Sequence, residues 1–145
     1  MEEPTPLDSR LEEAIRDRLQ RIPIVDTLGI VVDRVGLGYC AATVPRNPQY
    51  DGVFESFHGG LLITIADSVA CFAILTQTGP DTILTTTDMN IRFLAPCLTS
   101  VRAIARTIKV GRSLCPVAID LYDLHGNQVA VAQVTYMRLE RMPSR

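Results

Sequence analysis

One carboxylate interrupts the most apolar stretch of the chain. Asp67 lies within residues 61–75, which are apolar on every side of a helical projection and therefore predict a buried helix. An ionised carboxylate in such a helix costs several kcal/mol unless it is paired, hydrogen-bonded or next to water. The residues one helical turn away carry no positive charge. Asp67 is therefore either a structural group bonded to the backbone of a neighbouring strand or a functional group at a water-filled site.

The segment that begins this helix, His58-Gly59-Gly60, could stabilise an oxyanion. The first N–H groups of a helix lack partners within the helix and carry a partial positive charge, which favours developing negative charge. Glycine also lets the carbonyl of a ligand approach the backbone closely. The alternative is a plain tight turn into the helix, with His58 as its N-terminal cap.

The spacing of these two features limits how they can cooperate. Gly59 and Asp67 are eight residues apart, which is ~12 Å along a helix at ~1.5 Å per residue. One carbonyl carbon cannot contact both within a single chain. Two antiparallel helices side by side would place Gly59 of one chain near Asp67 of the other. If the chain is an enzyme, its site is therefore predicted to be shared across a two-fold dimer.

An amphipathic helix is predicted near the N-terminus, over residues 9–22. Apolar residues recur there at helical spacing, and Ser9 with Glu12 matches an S-x-x-E capping box. Pro23 is expected to end this helix. Residues 1–8 are expected to form a flexible segment, and residues 1–145 a single domain.

The rest of the chain predicts an α+β fold in which one curved antiparallel sheet of five or six strands wraps around one long central helix. Two strand-like segments precede that helix and four follow it, with connections short enough to imply antiparallel pairing. The predicted strands are residues 28–35, 39–44, 82–94, 100–110, 113–124 and 128–139. In the first strand after the helix, Ile83, Met89 and Phe93 are predicted to share one face, with Asp88 and Asn90 on the other.

Composition excludes several classes of function. The 145 residues are 47% hydrophobic and 21% charged, with a net charge of −2 at pH 7, which is typical of one soluble domain. No basic excess or basic stripe indicates nucleic-acid binding. The N-terminal residues lack a signal-peptide pattern, and the apolar residues 61–75 are too few to span a bilayer. We therefore expect a cytoplasmic protein with neither a nucleic acid nor a membrane as partner.

The four cysteines, Cys40, Cys71, Cys97 and Cys115, lie in apolar surroundings and form no C-x-x-C pair. They are expected to be reduced and packed. Cys71 lies one helical turn beyond Asp67, but no histidine is placed to activate it as a nucleophile. With two histidines and no cysteine pair, no metal site is expected.

Several segments together carry a family resemblance. They are the H-G-G-x₆-D motif of residues 58–67, the strand of residues 86–96 that ends in proline, and residues 111–112, 123–126 and 132–136. In combination they resemble the hotdog-fold acyl-CoA thioesterases, in particular the branch named for the phenylacetic acid degradation thioesterase (PaaI-like). The resemblance covers roughly residues 25–140. It implies a hotdog fold, a homodimer or dimer of dimers, and hydrolysis of an acyl-CoA or aryl-CoA thioester without metal or redox cofactor.

The resemblance also implies catalytic roles for four residues. Asp67 corresponds to the catalytic carboxylate, which acts as a general base on water or attacks the thioester directly. Gly59 corresponds to the backbone N–H that polarises the thioester carbonyl. Thr86 corresponds to a hydroxyl that orients water or the carboxylate, and His58 to a positional histidine near the carbonyl.

Substrate contacts are expected from Gly60, Asn90 and Arg112. Arg112 follows a glycine in a loop, from which an arginine reaches the phosphates of CoA more easily than from a strand. The family often has Asn or Gln seven residues before the oxyanion glycine, to hold the attacking water, but here that position is Gly52. Either a polar residue from the loop of residues 45–57 takes this place (Asn47, Gln49 and Asp51 are nearby), or the group is absent.

Three rival hypotheses remain at this point. A hydratase or dehydratase of acyl thioesters on the same fold would need a histidine and an acid placed for proton transfer at carbon. A non-catalytic acyl-CoA-binding module would bind without turnover. In a purely structural dimer, Asp67 could be replaced by Asn without any loss of activity.

Overall fold

The computed structural model describes residues 3–144, which form three α-helices, one short 3₁₀-helix and six strands. The elements in chain order are α1 (Ser9–Gln20), α2 (Pro23–Leu28), β1 (Val31–Gly36), β2 (Tyr39–Val44), a 3₁₀-helix (Pro48–Tyr50), α3 (Gly59–Thr78), β3 (Ile83–Phe93), β4 (Val101–Thr107), β5 (Leu114–Asp123) and β6 (Gln128–Leu139). Every predicted strand is present, and the bounds of β2 and β6 are those expected from sequence.

The six strands form one antiparallel sheet in the order β1-β2-β4-β5-β6-β3. The helix α3 packs against all six strands. Strands β1 and β3 are the two edges of the sheet, so each has one side without a strand partner in the described part of the chain. The predicted α+β architecture, with one central helix inside a curved sheet, is confirmed.

The sheet explains why α3 is apolar all round. Side chains from successive turns, including Leu62, Ile65, Val69 and Phe72, are almost completely buried. By length and mean hydropathy (1.8) α3 is the one helix among the described residues that could cross a membrane. Here it is the core helix of the domain, which fits a soluble protein.

The residue that caps the N-terminal helix lies one position earlier in the chain than predicted. Asp8, not Ser9, is the N-cap, and its Oδ1 accepts hydrogen bonds from the N–H groups of Arg10 (2.9 Å) and Leu11 (3.4 Å). Ser9 is the first residue of α1. The expected capping box of Ser9 with Glu12 was therefore wrong, because a carboxylate one residue upstream already accepts from the first free N–H groups.

The connection after α1 also differs from the prediction. The helix ends at Gln20, and Pro23 begins α2 instead of only terminating α1. Proline suits the first position of a helix because its missing N–H would have no partner there. Gly29 ends α2 with φ of 71°, a left-handed conformation that favours glycine. Since α2 ends at Leu28 and Gly29 caps it, β1 starts only at Val31, three residues later than predicted.

Residues 3–8 differ from the expected flexible segment. The Leu37 N–H donates to the Thr5 carbonyl at 2.8 Å, and Glu3 pairs with Arg34 at 3.1 Å. A Cβ on Gly36 would lie 2.7 Å from Cβ of Pro4, so this close approach requires a glycine in β1. This segment therefore lies against the β1–β2 hairpin, and residues 1 and 2 of the expected segment lie outside the described residues.

A β-bulge in β3 decides which of its side chains face α3. The register with β6 shifts between Thr86 and Asp88, so Thr87 is an extra residue. An extra residue reverses the alternation of faces beyond it. Thr86 therefore lies on the helix-facing side together with Phe93, whereas Ile83 lies on the opposite side. The prediction that Ile83 shares a face with Phe93 was wrong for this reason.

The capping geometry of α1 gives a prediction. Asp8→Ala is expected to cost about 1 kcal/mol, because two helix N–H groups lose their acceptor. This corresponds to a melting temperature about 2–4 °C lower. Ser9→Ala is the matched control and should leave the melting temperature unchanged within about 1 °C. A larger loss for Ser9→Ala than for Asp8→Ala would contradict the observed cap.

Candidate active site

Asp67 lies near the middle of α3 and is only partly buried. Its Oδ1 accepts a hydrogen bond from the Thr86 hydroxyl at 2.8 Å. Its other oxygen, Oδ2, has no partner among residues 3–144, where no buried side-chain oxygen lacks a hydrogen bond. Oδ2 is therefore open to solvent. The carboxylate is bonded to a side-chain hydroxyl and not to strand backbone, so one oxygen is held and the other is free for water or a ligand.

The bulge at Thr87 is what brings Thr86 to this carboxylate. Without the extra residue, either Thr86 or the apolar residues that follow would point away from α3, because side chains alternate along a strand. With it, both Thr86 and Ile91 face the helix side. Two of the predicted site residues, Asp67 and Thr86, are thus in direct contact.

Tyr136 of β6 is a third member of this cluster that sequence reasoning did not single out as a site residue. Its hydroxyl donates to the backbone carbonyl of Asp67 at 2.8 Å. Burial raises the pKa of the phenol well above its usual value, so the hydroxyl remains a donor. The sequence could have indicated a polar contact for Tyr136, because a tyrosine at a core-facing strand position needs a polar partner for its buried hydroxyl.

Cys71 lies one turn along α3 from Asp67. Burial, together with the nearby carboxylate, raises the pKa of its thiol to about 12. A thiol with that pKa remains protonated at neutral pH and is a poor nucleophile. The expectation that Cys71 is a packed residue agrees with this environment.

The N-terminus of α3 has one N–H bonded to its capping side chain and one without an acceptor in the described chain. His58 is the N-cap, and its Nδ1 accepts from the Gly60 N–H at 2.9 Å. The Gly59 N–H has no acceptor among residues 3–144. A Cβ on Gly59 would lie 3.1 Å from Cζ of Phe93, so the backbone here is closely covered. The capping role of His58 therefore coexists with one free N–H, at Gly59, while that of Gly60 is already occupied.

Two concave regions adjoin this N-terminus. An open, mainly apolar groove of about 690 Å³ includes Gly59 and Phe93 and is bordered by Phe54, which is 90% exposed. A more enclosed cavity of about 220 Å³ lies beside His58. Asp67 lines neither of them. Within one chain, the carboxylate and the free N–H therefore belong to separate surfaces.

The loop of residues 45–57 is fixed by one guanidinium. Arg46 binds the Asp51 carboxylate through Nε (3.0 Å) and Nη2 (2.5 Å) and also donates to the carbonyls of Glu55 (2.7 Å) and Leu98 (2.9 Å). These bonds join the end of β2, the loop before α3 and the β3–β4 connection. Arg46 lowers the pKa of Asp51 through the hydrogen-bonded pair.

The hydrogen bonds of this loop limit which side chain could hold the attacking water, since Gly52 stands where an Asn or Gln was expected. Asp51 is engaged by Arg46, and the Asn47 side chain accepts from the Gln49 N–H at 3.0 Å. The side chain of Gln49 is exposed and forms no hydrogen bond within the described chain. Of the three polar residues considered for this role, Gln49 alone has an uncommitted side chain.

The remaining predicted residues lie apart from Asp67. Asn90 is exposed and pairs with Gln133 on the face of β3 opposite α3. Arg112 is exposed in the β4–β5 turn. The β4–β5 turn lies at the same end of the sheet as Thr86, but β5 is two strands away from β3. In that turn, Arg138 donates to the Gly111 carbonyl at 3.3 Å. A single chain therefore does not bring Asn90 or Arg112 to the carboxylate.

The side chains that could ligate a metal lie apart from one another in the described chain. Across residues 3–144, no group of three or more His, Cys, Asp or Glu side chains could hold a metal ion. The four cysteines are free thiols, and Cys40, Cys97 and Cys115 are buried.

Comparison with known proteins places this chain in a family. A family model described as a domain of unknown function (DUF4442) matches residues 14–137. The chain belongs to the DUF4442 family. No curated protein sequence matches this family member significantly.

Solved structures of similar fold cover almost all of this DUF4442 chain. A thioesterase family protein from Silicibacter pomeroyi is 23% identical with a TM-score of 0.82, covering 89% of this chain and 98% of its own. The PaaI protein from the phenylacetic acid degradation operon of E. coli is 19% identical with a TM-score of 0.84, covering 95% and 99%. A thioesterase from Haemophilus influenzae is 24% identical with a TM-score of 0.76, covering 89% and 90%. The resemblance to hotdog proteins is thereby confirmed at the level of the fold.

The Arg46–Asp51 pair gives a pH-dependent prediction. Because the pKa of Asp51 is lowered in the folded protein, the pair stabilises the fold at pH values above the ordinary carboxyl pKa. That contribution is lost as the pH falls through the lowered pKa of the folded state. We expect Asp51→Asn to lower the melting temperature at pH 7, and the difference from wild type to shrink steadily below about pH 4.

Asp81→Asn is the control, because Asp81 is exposed and forms no ion pair within residues 3–144. Its melting temperature should follow that of wild type at each pH. A deficit of Asp51→Asn that stays constant from pH 7 to about pH 2 would contradict the assigned role of the charge.

Proposed function

We propose that this protein hydrolyses a CoA thioester of an acyl or aryl acid to the free acid and CoA. The observation that carries the proposal is the Asp67 carboxylate, held by Thr86 at 2.8 Å through one oxygen and open to solvent at the other. A carboxylate that is held by a hydroxyl and exposed to water on an otherwise apolar core helix is a candidate for chemistry. The thioesterase names of proteins with the same fold add support.

The chemistry needs few groups. Asp67 takes a proton from water as the water oxygen bonds to the thioester carbon, or its carboxylate attacks that carbon and water then hydrolyses the resulting anhydride. The carbon–sulfur bond breaks and the sulfur leaves as the CoA thiolate, a good leaving group. The Gly59 N–H donates to the carbonyl oxygen as negative charge develops. Positioning and electrostatics therefore suffice, and no redox step occurs.

The proposed site combines two copies of the chain. Gly59 and Asp67 belong to the same helix and are ~12 Å apart along its axis. The free edge of β3, with Met89 40% and Phe93 54% exposed, is a surface where a second β3 could pair. Antiparallel pairing about a two-fold axis would bring the two α3 helices alongside each other. We propose a homodimer on this basis, with a dimer of dimers as a further assembly. The proposed location of the protein is the cytoplasm, because its cysteines are free thiols.

The carboxylate supplies the decisive prediction. Asp67→Asn is expected to lower the rate of thiol release from acyl-CoA and aryl-CoA thioesters at least about a hundredfold, because the proton acceptor or nucleophile is lost. Asp17→Asn, at an exposed position of α1, is the matched control and should keep wild-type rates. Free thiol is followed with a chromogenic reagent, and size-exclusion chromatography confirms that each variant keeps its assembly.

The other outcomes of this experiment lead to different conclusions. Equal rates for wild type and Asp67→Asn would overturn the role of the carboxylate. Binding of CoA thioesters without thiol release from wild type would favour a non-catalytic module. Conversion of an enoyl thioester without thiol release would favour a hydratase.

A further inference from the structure

Among residues 3–144, hydrogen bonds join α3 to the strands and their hairpin turns at two levels only. Near the C-terminus of α3, the side chains of Thr76 and Gln77 make these bonds. In the middle of the helix, both bonds end on Asp67, one from Thr86 and one from Tyr136. The rest of α3 is held by apolar contacts, which have no preferred direction. The rotation of α3 about its axis at Asp67 therefore depends on these two bonds.

The two donors at Asp67 come from residues that lie directly opposite each other. Thr86 of β3 and Tyr136 of β6 are register partners, and the Cβ atoms of such partners lie ~4.5–5.5 Å apart on one face of the sheet. The Thr86 hydroxyl binds the carboxylate oxygen Oδ1 at 2.8 Å, and the Tyr136 hydroxyl binds the backbone carbonyl at 2.8 Å. One strand pair thus holds Asp67 by its side chain and by its backbone.

The bond from Tyr136 is not needed to satisfy the helix. Because α3 is α-helical throughout Gly59–Thr78, the Asp67 carbonyl already accepts from the Cys71 N–H. Its oxygen has a second lone pair, which the phenol uses. Tyr136 is 7% exposed, and burial raises the pKa of its hydroxyl, which therefore stays protonated and donates. The consequence of this bond is the position of Asp67, since the carbonyl has a partner without it.

We propose that Tyr136 is a positioning residue for the reaction, whose hydroxyl fixes the backbone of α3 at Asp67 so that Thr86 can hold one carboxylate oxygen and leave the other free to react. The inference rests on the proposed hydrolysis by Asp67. Tyr136 acts through Asp67 and touches no reacting atom, so its loss should slow turnover and leave substrate binding unchanged. Misplacement of a reacting group by ~1 Å can cost about a hundredfold in rate. With the Thr86 bond retained, we expect a loss of about tenfold.

The first test measures kcat and KM for thiol release from octanoyl-CoA and phenylacetyl-CoA. Tyr136→Phe should lower kcat about tenfold and leave KM within about twofold of wild type. The exchange keeps the ring and leaves no buried group without a partner, so the variant should stay folded. Tyr39→Phe is the matched control, because Tyr39 is also 7% exposed but belongs to a separate buried cluster. A wild-type kcat in Tyr136→Phe, or the same loss in Tyr39→Phe, would overturn the proposal.

A double variant separates positioning of the carboxylate from general loosening of the protein. In the Asp67→Asn background, adding Tyr136→Phe should change the residual rate less than about twofold, because the carboxylate that Tyr136 positions is already gone. An equal loss of about tenfold in both backgrounds would show that the two residues act independently, and the positioning role would be rejected.

NMR gives a readout that does not require turnover. Three-bond couplings from the backbone nitrogen and carbonyl carbon of Asp67 to its carboxyl carbon report the side-chain rotamer. We expect a single rotamer in wild type and Tyr39→Phe, and averaged couplings in Tyr136→Phe. If wild type releases no thiol, these averaged couplings would support positioning while hydrolysis is overturned. Unchanged couplings in Tyr136→Phe would overturn positioning and leave hydrolysis standing.

Discussion

The enclosure of α3 by the sheet is the constraint on which the rest of the structure depends. A helix packed against all six strands cannot keep polar side chains on most of its surface, so its composition is almost wholly apolar. The hydroxyls of Thr64, Ser68 and Thr76 hydrogen-bond to carbonyls of α3 itself. The polar groups left available are the N–H of Gly59 at the N-terminus and the carboxylate of Asp67, which contacts the edge strand β3. The places where chemistry is possible are thus the places where the sheet is incomplete.

The bond between Thr86 and Asp67 shows how one inserted residue connects fold to site. The bulge at Thr87 lets a polar residue and the apolar run beyond it face the same helix. Tyr136 completes the arrangement from β6 by bonding the Asp67 carbonyl. One carboxylate oxygen, the helix backbone and the edge strand are therefore fixed together. This leaves the second carboxylate oxygen accessible to solvent, without a partner among residues 3–144.

Sequence reasoning located α1, α3, the six strands and the central pair, but neither α2 nor the local geometry. Burial patterns depend on many residues at once, so α3 and strands such as β6 could be predicted within a few positions. Which of two adjacent side chains caps α1, Asp8 or Ser9, depends on backbone torsions that no pattern encodes. The bulge in β3 is likewise set by pairing with β6, far along the chain. The contact of Tyr136 and the bonds of Arg46 are long-range for the same reason.

The loop before α3 shows why the two concave regions should be considered together. Arg46 joins β2, the loop and the β3–β4 connection through a single guanidinium. Asp51 and Phe57 line the cavity beside His58, while Phe54 and Leu98 line the groove beside Gly59. The same loop is thus a wall of both spaces, and one ion pair holds it. A Cβ on Gly52 would lie 3.9 Å from the Cα of His58 and from the Ser56 carbonyl oxygen, so the loop has room for a side chain where the sequence provides none.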